Sequence, residues 1–566
     1  MLKLKLKQII EQSAATWSPL PRFDLERPKV KEHGEYATNL AMLLAKQARK
    51  KPQEVAQDII DRLQDSEGIL EKVSIAGAGF LNFVLKKSAW QKSLRELFSA
   101  GGKLGHASVG QDRKVVIEYV SANPTGPLHI GNARGGPLGD TLATLLHTVG
   151  YEVTREYYVN DVGGQIDKLG EAIDHYLSNP DGTASDATLQ YKGAHIEELA
   201  QKVRDSLEIE KLGEGPARVH ALGRFGIHEM MQEISRDCEE MGIRFDSWVS
   251  EKEILALKTQ ETLRRLEEAQ VTLKKEGAAW FAPKTDDAPS EDFLADRESV
   301  LIRSDGRPTY FANDIAYHAQ KYEQGFERLI NVWGSNHHGH VPRLQAAMRS
   351  LGYDPKRIET VLYQYVRVKR GADVVKMSKR GGNFVTAREV LDEVGRDAFR
   401  FYLLMRAPES HLDFDLELAT KQSQDNPVYY VQYAHARLCA IERKASEMGI
   451  SPPSSETVNL SLLDLPEEID LIRMIHEYPE EVLRSAEHLE PHRIPFYLLD
   501  LARLYQSYYS RAKEDDRYRV LVPGDVDTSQ AKMYLCAALK LTLAQGLKLL
   551  GVSAPEAMEK EKSQDI

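Results

Sequence analysis

Two stretches carry residue types whose spacing suits phosphate chemistry. The first runs Ser121, Ala122, Asn123, Pro124, Thr125, Gly126, Pro127, Leu128, His129, Ile130, Gly131 and Asn132. It follows a β-branched run and precedes a helix-like stretch, where parallel α/β sheets take ligands at strand carboxyl ends. Unpaired N–H groups and the macrodipole at a helix start attract phosphate. His129 and Asn132 stand on one face of that first turn, so both can reach one ligand. Gly131 lets a base or a phosphate come close to the backbone. A Pro/Gly turn with a hydrogen-bonded histidine is the plain alternative. The second stretch, far downstream, holds Lys376, Met377, Ser378, Lys379 and Arg380 ahead of Gly381 and Gly382. Cations able to close over polyphosphate stabilise charge where it builds up during phosphate transfer. Taken alone, such a run reads as a solvated basic loop; its order after a His-x-Gly loop shifts the reading.

The first loop needs a rigid strand behind it, and Val115 to Val120 has the β-branched chemistry of a buried parallel strand. A helix over Arg134 to Val149 and a strand over Val153 to Val159 complete a βαβ unit. Further strand signals stand at Val300 to Ile302, Leu329 to Trp333 and Thr360 to Val368. Long charged helices such as Glu251 to Lys275 read as an insertion at about 185–295. Residues 1–108 read as a small α+β unit, with helices within Ala41 to Leu63 and strand chemistry over Val73 to Leu85. Residues 421–566 read as almost wholly helical. The expected fold is therefore multidomain α/β. A Rossmann-like parallel-sheet core at 109–420 with a helical insertion stands between an α+β N-terminal domain and an all-α C-terminal domain.

Composition narrows the classes. In 566 residues, 42% are apolar and 28% charged, which is globular and far from a disordered profile. A net charge of −11 excludes a basic, nonspecific nucleic-acid binder, so any polyanion must be met by a local patch. Cys238, Cys439 and Cys536 are far apart, with no CxxC pair, against a cysteine zinc site or a disulfide framework. The opening Leu/Lys alternation is not a secretory signal, and no uncharged apolar run approaches the ~20 residues of a membrane span. The expected location is cytoplasmic, with no membrane partner. His337, His338 and His340 tempt a metal reading, but zinc favours longer spacers and a thiolate or carboxylate companion, so no zinc is expected.

The two loops together resemble the paired signatures of class I aminoacyl-tRNA synthetases, and the surrounding sequence resembles arginyl-tRNA synthetases of the bacterial type. The likeness spans His33 to Asn39, Ala76 to Asn82, Thr309 to Ala316, Trp333 to His340 and Gly546 to Pro555. It implies ATP-dependent attack of the arginine carboxylate on the α-phosphate, then transfer to the 3′-terminal ribose of tRNA(Arg), with activation needing bound tRNA. AMP and pyrophosphate are the products. By the same likeness His129, Gly131 and Asn132 bind ATP together with Lys376, Met377, Ser378 and Lys379, and Mg2+ arrives with ATP. His129, Lys376 and Lys379 are the catalytic candidates. Asn132 stands where a histidine is commoner, and an amide never carries charge. Arg380 replaces a common serine. Glu118, Ser121, Asn123, Tyr310 and Asp314 match arginine-binding positions. A guanidinium has five donors and a fixed charge, so carboxylates and planar acceptors suit it, and lysine cannot copy its bidentate pairing. Tyr310 and Asp314 share a face if a helix begins there.

Tyr429, Tyr430, Tyr433, His435 and Arg437, then Arg503, Tyr505, Tyr508, Tyr509 and Arg511, interleave aromatics and cations, the chemistry that stacks single-stranded bases. Some must be core, because helical spacing buries one face. Resemblance assigns this block to the anticodon, the N-terminal block to the tRNA elbow, and a monomeric state. Two other classes stay open: a synthetase-like RNA binder without catalysis, and a small nucleotidyltransferase of the His-x-Gly-His type.

Overall fold

The computed structural model describes residues 2–28, 30–179, 188–206, 212–283, 299–375, 385–451 and 454–558. Val115, Val116 and Ile117 have no solvent exposure, as a strand packed on both faces requires. Their strand, Lys114–Tyr119, is the middle of five parallel strands. The order across the sheet is Ile358–Tyr363, Arg328–Gly334, Lys114–Tyr119, Glu152–Val159 and Ser247–Ser250. The helix Gly135–Thr148 connects the middle strand to its neighbour Glu152–Val159. One rung of this sheet is polar: Thr360, Asn331, Glu118, Glu156 and Ser247 are successive register neighbours. The helix Tyr310–Glu323 lies over that rung and bonds it through Tyr317 and His318.

Three helices, Gly164–Ser178, Ala194–Ser206 and Gly215–Glu240, enclose a separate core that includes Ile166, Leu169, Ile196, Leu199, Leu222 and Met230. A Cβ at Gly170 or Gly223 would overlap the carbonyl oxygen of Val219 or Ile166, so the first and third of these helices touch backbone to backbone. The insertion expected over about 185–295 therefore needs correcting in two places. Its helices begin at Gly164, and Ser247–Ser250 within that span is the edge strand of the core sheet. Nor is Glu251 to Lys275 one helix. Helix runs from Glu251 through a π-turn at Leu255–Thr259 to Glu268, and Thr272–Lys275 then pairs antiparallel with Ala278–Phe281. The cause is local: Glu276 (φ 54°) and Gly277 (φ 77°) both adopt positive φ, the signature of a two-residue hairpin turn. Thr360 to Val368 likewise divides, into Ile358–Tyr363 of the core and Val366–Arg370 of a separate three-stranded sheet.

At the N-terminus the Leu/Lys alternation lies in a helix, Leu2–Ser13, because Leu2, Leu6, Ile9 and Ile10 fall on one buried face. Three antiparallel strands and three more α-helices, Leu40–Ala48, Pro52–Asp61 and Lys87–Ser99, complete that unit among the described residues. Of the C-terminal helices Pro427–Glu447, Pro466–Glu487, Arg493–Arg511 and Val526–Leu549, it packs against the second and the fourth. The Leu2 N–H donates to His476 Nε2 at 3.1 Å, with the Trp90 ring edge-on to that imidazole. Among the described residues no helix is long and apolar enough to cross a membrane.

Candidate active site

At the carboxyl end of the sheet a cleft of about 380 Å³ is lined by Glu118, Ser121, Asn123, Asn132, Tyr158, Asn160, Tyr310, Trp333, Asn336, His337 and Tyr363. An adjoining cavity of about 540 Å³ shares Tyr310, Asn336 and His337 and adds Arg303 and His340. The chain leaves the middle strand through Val120 (φ 68°) and Ser121 (φ 38°). A positive φ is costly for a β-branched residue and marks a backbone held by its surroundings. Here the holding groups are on the next strand. Ser121 Oγ accepts the Tyr158 N–H at 3.1 Å, Tyr157 donates its hydroxyl to the Ala122 carbonyl at 2.9 Å, and Asn160 Nδ2 donates to Asn123 Oδ1 at 3.1 Å.

His129 caps the short helix Ile130–Ala133: its Nδ1 accepts the Gly131 N–H at 2.8 Å. A Cβ at Gly131 would lie 2.9 Å from that Nδ1, so only glycine permits the cap. Burial lowers the His129 pKa, so the ring is neutral near pH 7 and carries its proton on Nε2. Residues 385–387 meet this loop. Thr386 bridges to His129, the Ile130 N–H donates to the Val385 carbonyl at 3.1 Å, and the Ala387 N–H donates to the Leu128 carbonyl at 2.8 Å. Lys376, Met377, Ser378 and Lys379 lie outside the described residues, as does Arg380.

Directly after this helix start, Arg134 is fully buried. Its guanidinium donates to the carbonyls of Gln364 (2.8 Å), Ser410 (2.9 Å), Ala407 (3.1 Å) and Arg406 (3.4 Å). Burial lowers its pKa to about 10, still charged at neutral pH. The insertion also touches the loop: His195 covers Gly126, where a Cβ would stand 3.3 Å from its Nε2.

On the other side, Thr309 Oγ1 accepts the Ala312 N–H and starts the helix Tyr310–Glu323. Tyr310 lines the cleft, but Asp314 sits behind it, 4% exposed, with His318 Nδ1 3.0 Å from Oδ1 and His340 Nε2 bonded to Oδ2. Burial opposes its charge, yet the two imidazoles hold its pKa well below the usual carboxylate range. His340 is thus committed to Asp314, His337 lines the cleft and His338 is exposed, so the three histidines do not converge. Glu118 lines the cleft at the middle strand's end.

Sequence reasoning missed Glu251, Tyr158, Glu156 and Lys321. Glu251 Oε1 accepts from Asn313 Nδ2 at 2.7 Å, while its Oε2 and the Tyr158 hydroxyl are buried without hydrogen-bond partners among the described residues. Burial, aided by Asp161 and Asp314 against the Asn313 bond, pushes Glu251 up to about 7. Burial, then Glu251, Tyr310, Asp314 and Glu118, raise the Tyr158 phenol well above its usual range, so the hydroxyl stays neutral. One signal was available: Glu156 interrupts a strand whose neighbours, Tyr157 and Tyr158, read as core, and carboxylates are almost never buried unpaired.

In the C-terminal helices Tyr505 and Tyr508 are core, and His435 is buried. Tyr429 stacks on Tyr433, with ring centroids 5.9 Å apart, and the Arg437 guanidinium lies over Tyr433 (4.7 Å) and Tyr509 (4.6 Å). Among the described residues no group of three or more His, Cys, Asp or Glu could hold a metal.

Residues 2–85 match the family described as arginyl tRNA synthetase N terminal domain. Residues 93–405 match tRNA synthetases class I (R), catalytic domain, and 431–558 match DALR anticodon binding domain. The chain is 43% identical to the arginine–tRNA ligase of Syntrophotalea carbinolica over 98% of each chain. It is 42% identical to that of Moorella thermoacetica over 98% of this chain and 99% of the relative. The solved arginyl-tRNA synthetase of Thermus thermophilus superposes with a TM-score of 0.75 at 27% identity, covering 99% of this chain and 100% of that one.

Proposed function

The chain belongs to the arginyl-tRNA synthetase family and attaches arginine to tRNA in an ATP-dependent reaction, and from that premise we propose how its cleft performs the two steps. Arginine and ATP meet at the carboxyl end of the sheet. The arginine carboxylate attacks the α-phosphate, an oxygen–phosphorus bond forms, and the bond to the β-phosphate breaks as pyrophosphate leaves. A ribose hydroxyl of the tRNA 3′ end then attacks the arginyl-adenylate carbonyl and releases AMP. The observation that carries this reading is the meeting, at one strand end, of a neutral imidazole capping a helix start and a buried group of carboxylates.

His129 presents an Nε2–H to phosphate oxygen, and the helix start adds the positive end of its dipole. Asn132 donates a second, uncharged hydrogen bond. Lys376 and Lys379 take the pyrophosphate side by family likeness, with Mg2+ entering as part of the ATP substrate. Glu118, Ser121 and Asn123 hold the α-amino end of arginine. Tyr310, Tyr158, Glu251 and Asp314 surround the guanidinium end, where a buried acceptor left unmatched penalises lysine. The adjoining cavity with Arg303 suits the incoming tRNA 3′ end. Residues 421–566 read the anticodon, and Tyr429, Tyr433, Arg437 and Tyr509 form a half-exposed stacking surface that supports this. Residues 1–108 meet the tRNA elbow, and by likeness the enzyme is a cytoplasmic monomer.

The test is a charging assay with a panel of amino acids and total tRNA. Arginine alone should be attached, and ATP–pyrophosphate exchange should be silent without tRNA. Charging of another amino acid, or brisk exchange without tRNA, would overturn the scheme.

A further inference from the structure

An ammonium buried in a protein keeps its charge only when anions face it. Lys321 is 2% exposed, and its Nζ stands 3.2 Å from Glu156 Oε1, 3.5 Å from Glu118 Oε2 and 3.8 Å from the Tyr317 ring centroid. Glu118 and Glu156 are buried register partners on adjacent strands. They differ in what else they hold. Tyr317 donates its hydroxyl to Glu156 Oε1 at 2.6 Å, whereas Glu118 Oε2 has no hydrogen-bond donor among the described residues and Glu118 lines the cleft. One cation between two anions leaves one negative charge unmatched, and it faces the substrate.

We propose that Lys321 is a positioning residue for arginine. It holds Glu118 and Glu156 side by side as carboxylates, so that the α-ammonium group of arginine completes the charge balance at Glu118. This rests on the assignment of Glu118 to the arginine site. Without the ammonium, two buried carboxylates on neighbouring strands repel each other with no cation between them. Glu156 keeps its Tyr317 donor, so Glu118 is the one that turns away and loses its contact with the substrate's cation. The other groups facing this triad do not relieve it. Asp314 and Glu251 add negative charge, His318 is committed to Asp314, and Tyr158, Tyr310 and Tyr317 are phenols.

The test measures arginine and ATP KM by pyrophosphate exchange with tRNA present, for Lys321→Met, Lys321→Met combined with Glu156→Gln, and Glu118→Gln. At about pH 7, Lys321→Met should raise the arginine KM about tenfold or more, with the ATP KM within about twofold. The double variant removes one anion with the cation, so it should recover a near-native arginine KM at neutral pH. It also carries the test if the single variant folds poorly. A loss unrescued by Glu156→Gln would overturn the proposal, as would an unchanged arginine KM in Lys321→Met. Should Glu118→Gln itself leave the arginine KM unchanged, the assignment of Glu118 falls. If Glu118→Gln is impaired while Lys321→Met is normal, only the role of Lys321 falls.

Discussion

On the proposed arginine side of the cleft the charges are buried and held in place before any substrate enters: Asp314 lies between His318 and His340, and Glu118 shares Lys321 with Glu156. On the proposed nucleotide side the described groups at the helix start, His129 and Asn132, are polar but uncharged near neutral pH, and neither is fully buried. The difference follows from the two ligands. Arginine brings fixed positive charge that must be desolvated, so its site needs anions already held in place. A triphosphate brings its own charge and its own cation, so a helix start and one oriented imidazole serve it. Selectivity on one side therefore depends on charge and pH, and on the other on geometry.

The strongest challenge to this contrast is Asp314→Ala. Removing one partner of a buried ionic pair costs about 3–5 kcal/mol, so the arginine KM should rise about a hundredfold or more while the ATP KM stays near native. Parallel increases in both constants, read from steady-state exchange, would erase the division. Next comes His129→Ala, where loss of one preorganised donor should slow activation about a hundredfold and leave tRNA affinity, read by filter binding, nearly intact. Equal loss in both assays would remove the phosphate role. A pH titration sharpens the comparison. Glu251 is raised to about 7, so its negative form is lost as pH falls through that value. Arginine affinity should weaken about tenfold from about pH 8 to about pH 6, and Glu251→Gln should flatten the profile and leave the ATP KM unmoved. A profile that stays steep in Glu251→Gln would assign the effect to another group. The smallest effect belongs to Asn132→His, a solvent-facing exchange of one donor for another, which should alter the ATP KM only about twofold to threefold. A change comparable to that of His129→Ala would mean the nucleotide side relies on charge after all.

Legibility followed the range of the interactions. The strand at Val115 to Ile117, the helix after Asn132 and the four C-terminal helices show in local periodicity, because burial on one or both faces leaves a local pattern. The nucleotide loop showed for the same reason: its chemistry lies within a dozen consecutive residues. The arginine side did not, because its partners are far apart in the chain. Asp314 is fixed by His340, Glu156 by Tyr317 and Lys321, and Glu251 by Asn313. Glu251 in particular opens a stretch of alternating charges that reads as a solvated helix. Tyrosines on the anticodon-side helices divide into core (Tyr505, Tyr508) and partly exposed (Tyr429, Tyr433, Tyr509) according to packing with neighbouring helices, which spacing alone does not encode.

Arg134 has a consequence for how this chain tolerates change. Surface loops are ordinarily where insertions and deletions accumulate. Yet Gln364 and the Arg406 to Ser410 loop, much of it open to water, offer their carbonyls to one guanidinium on the helix that follows His129. Lengthening either loop by a residue would withdraw acceptors from a buried cation, so both should keep their length while their outward side chains vary freely.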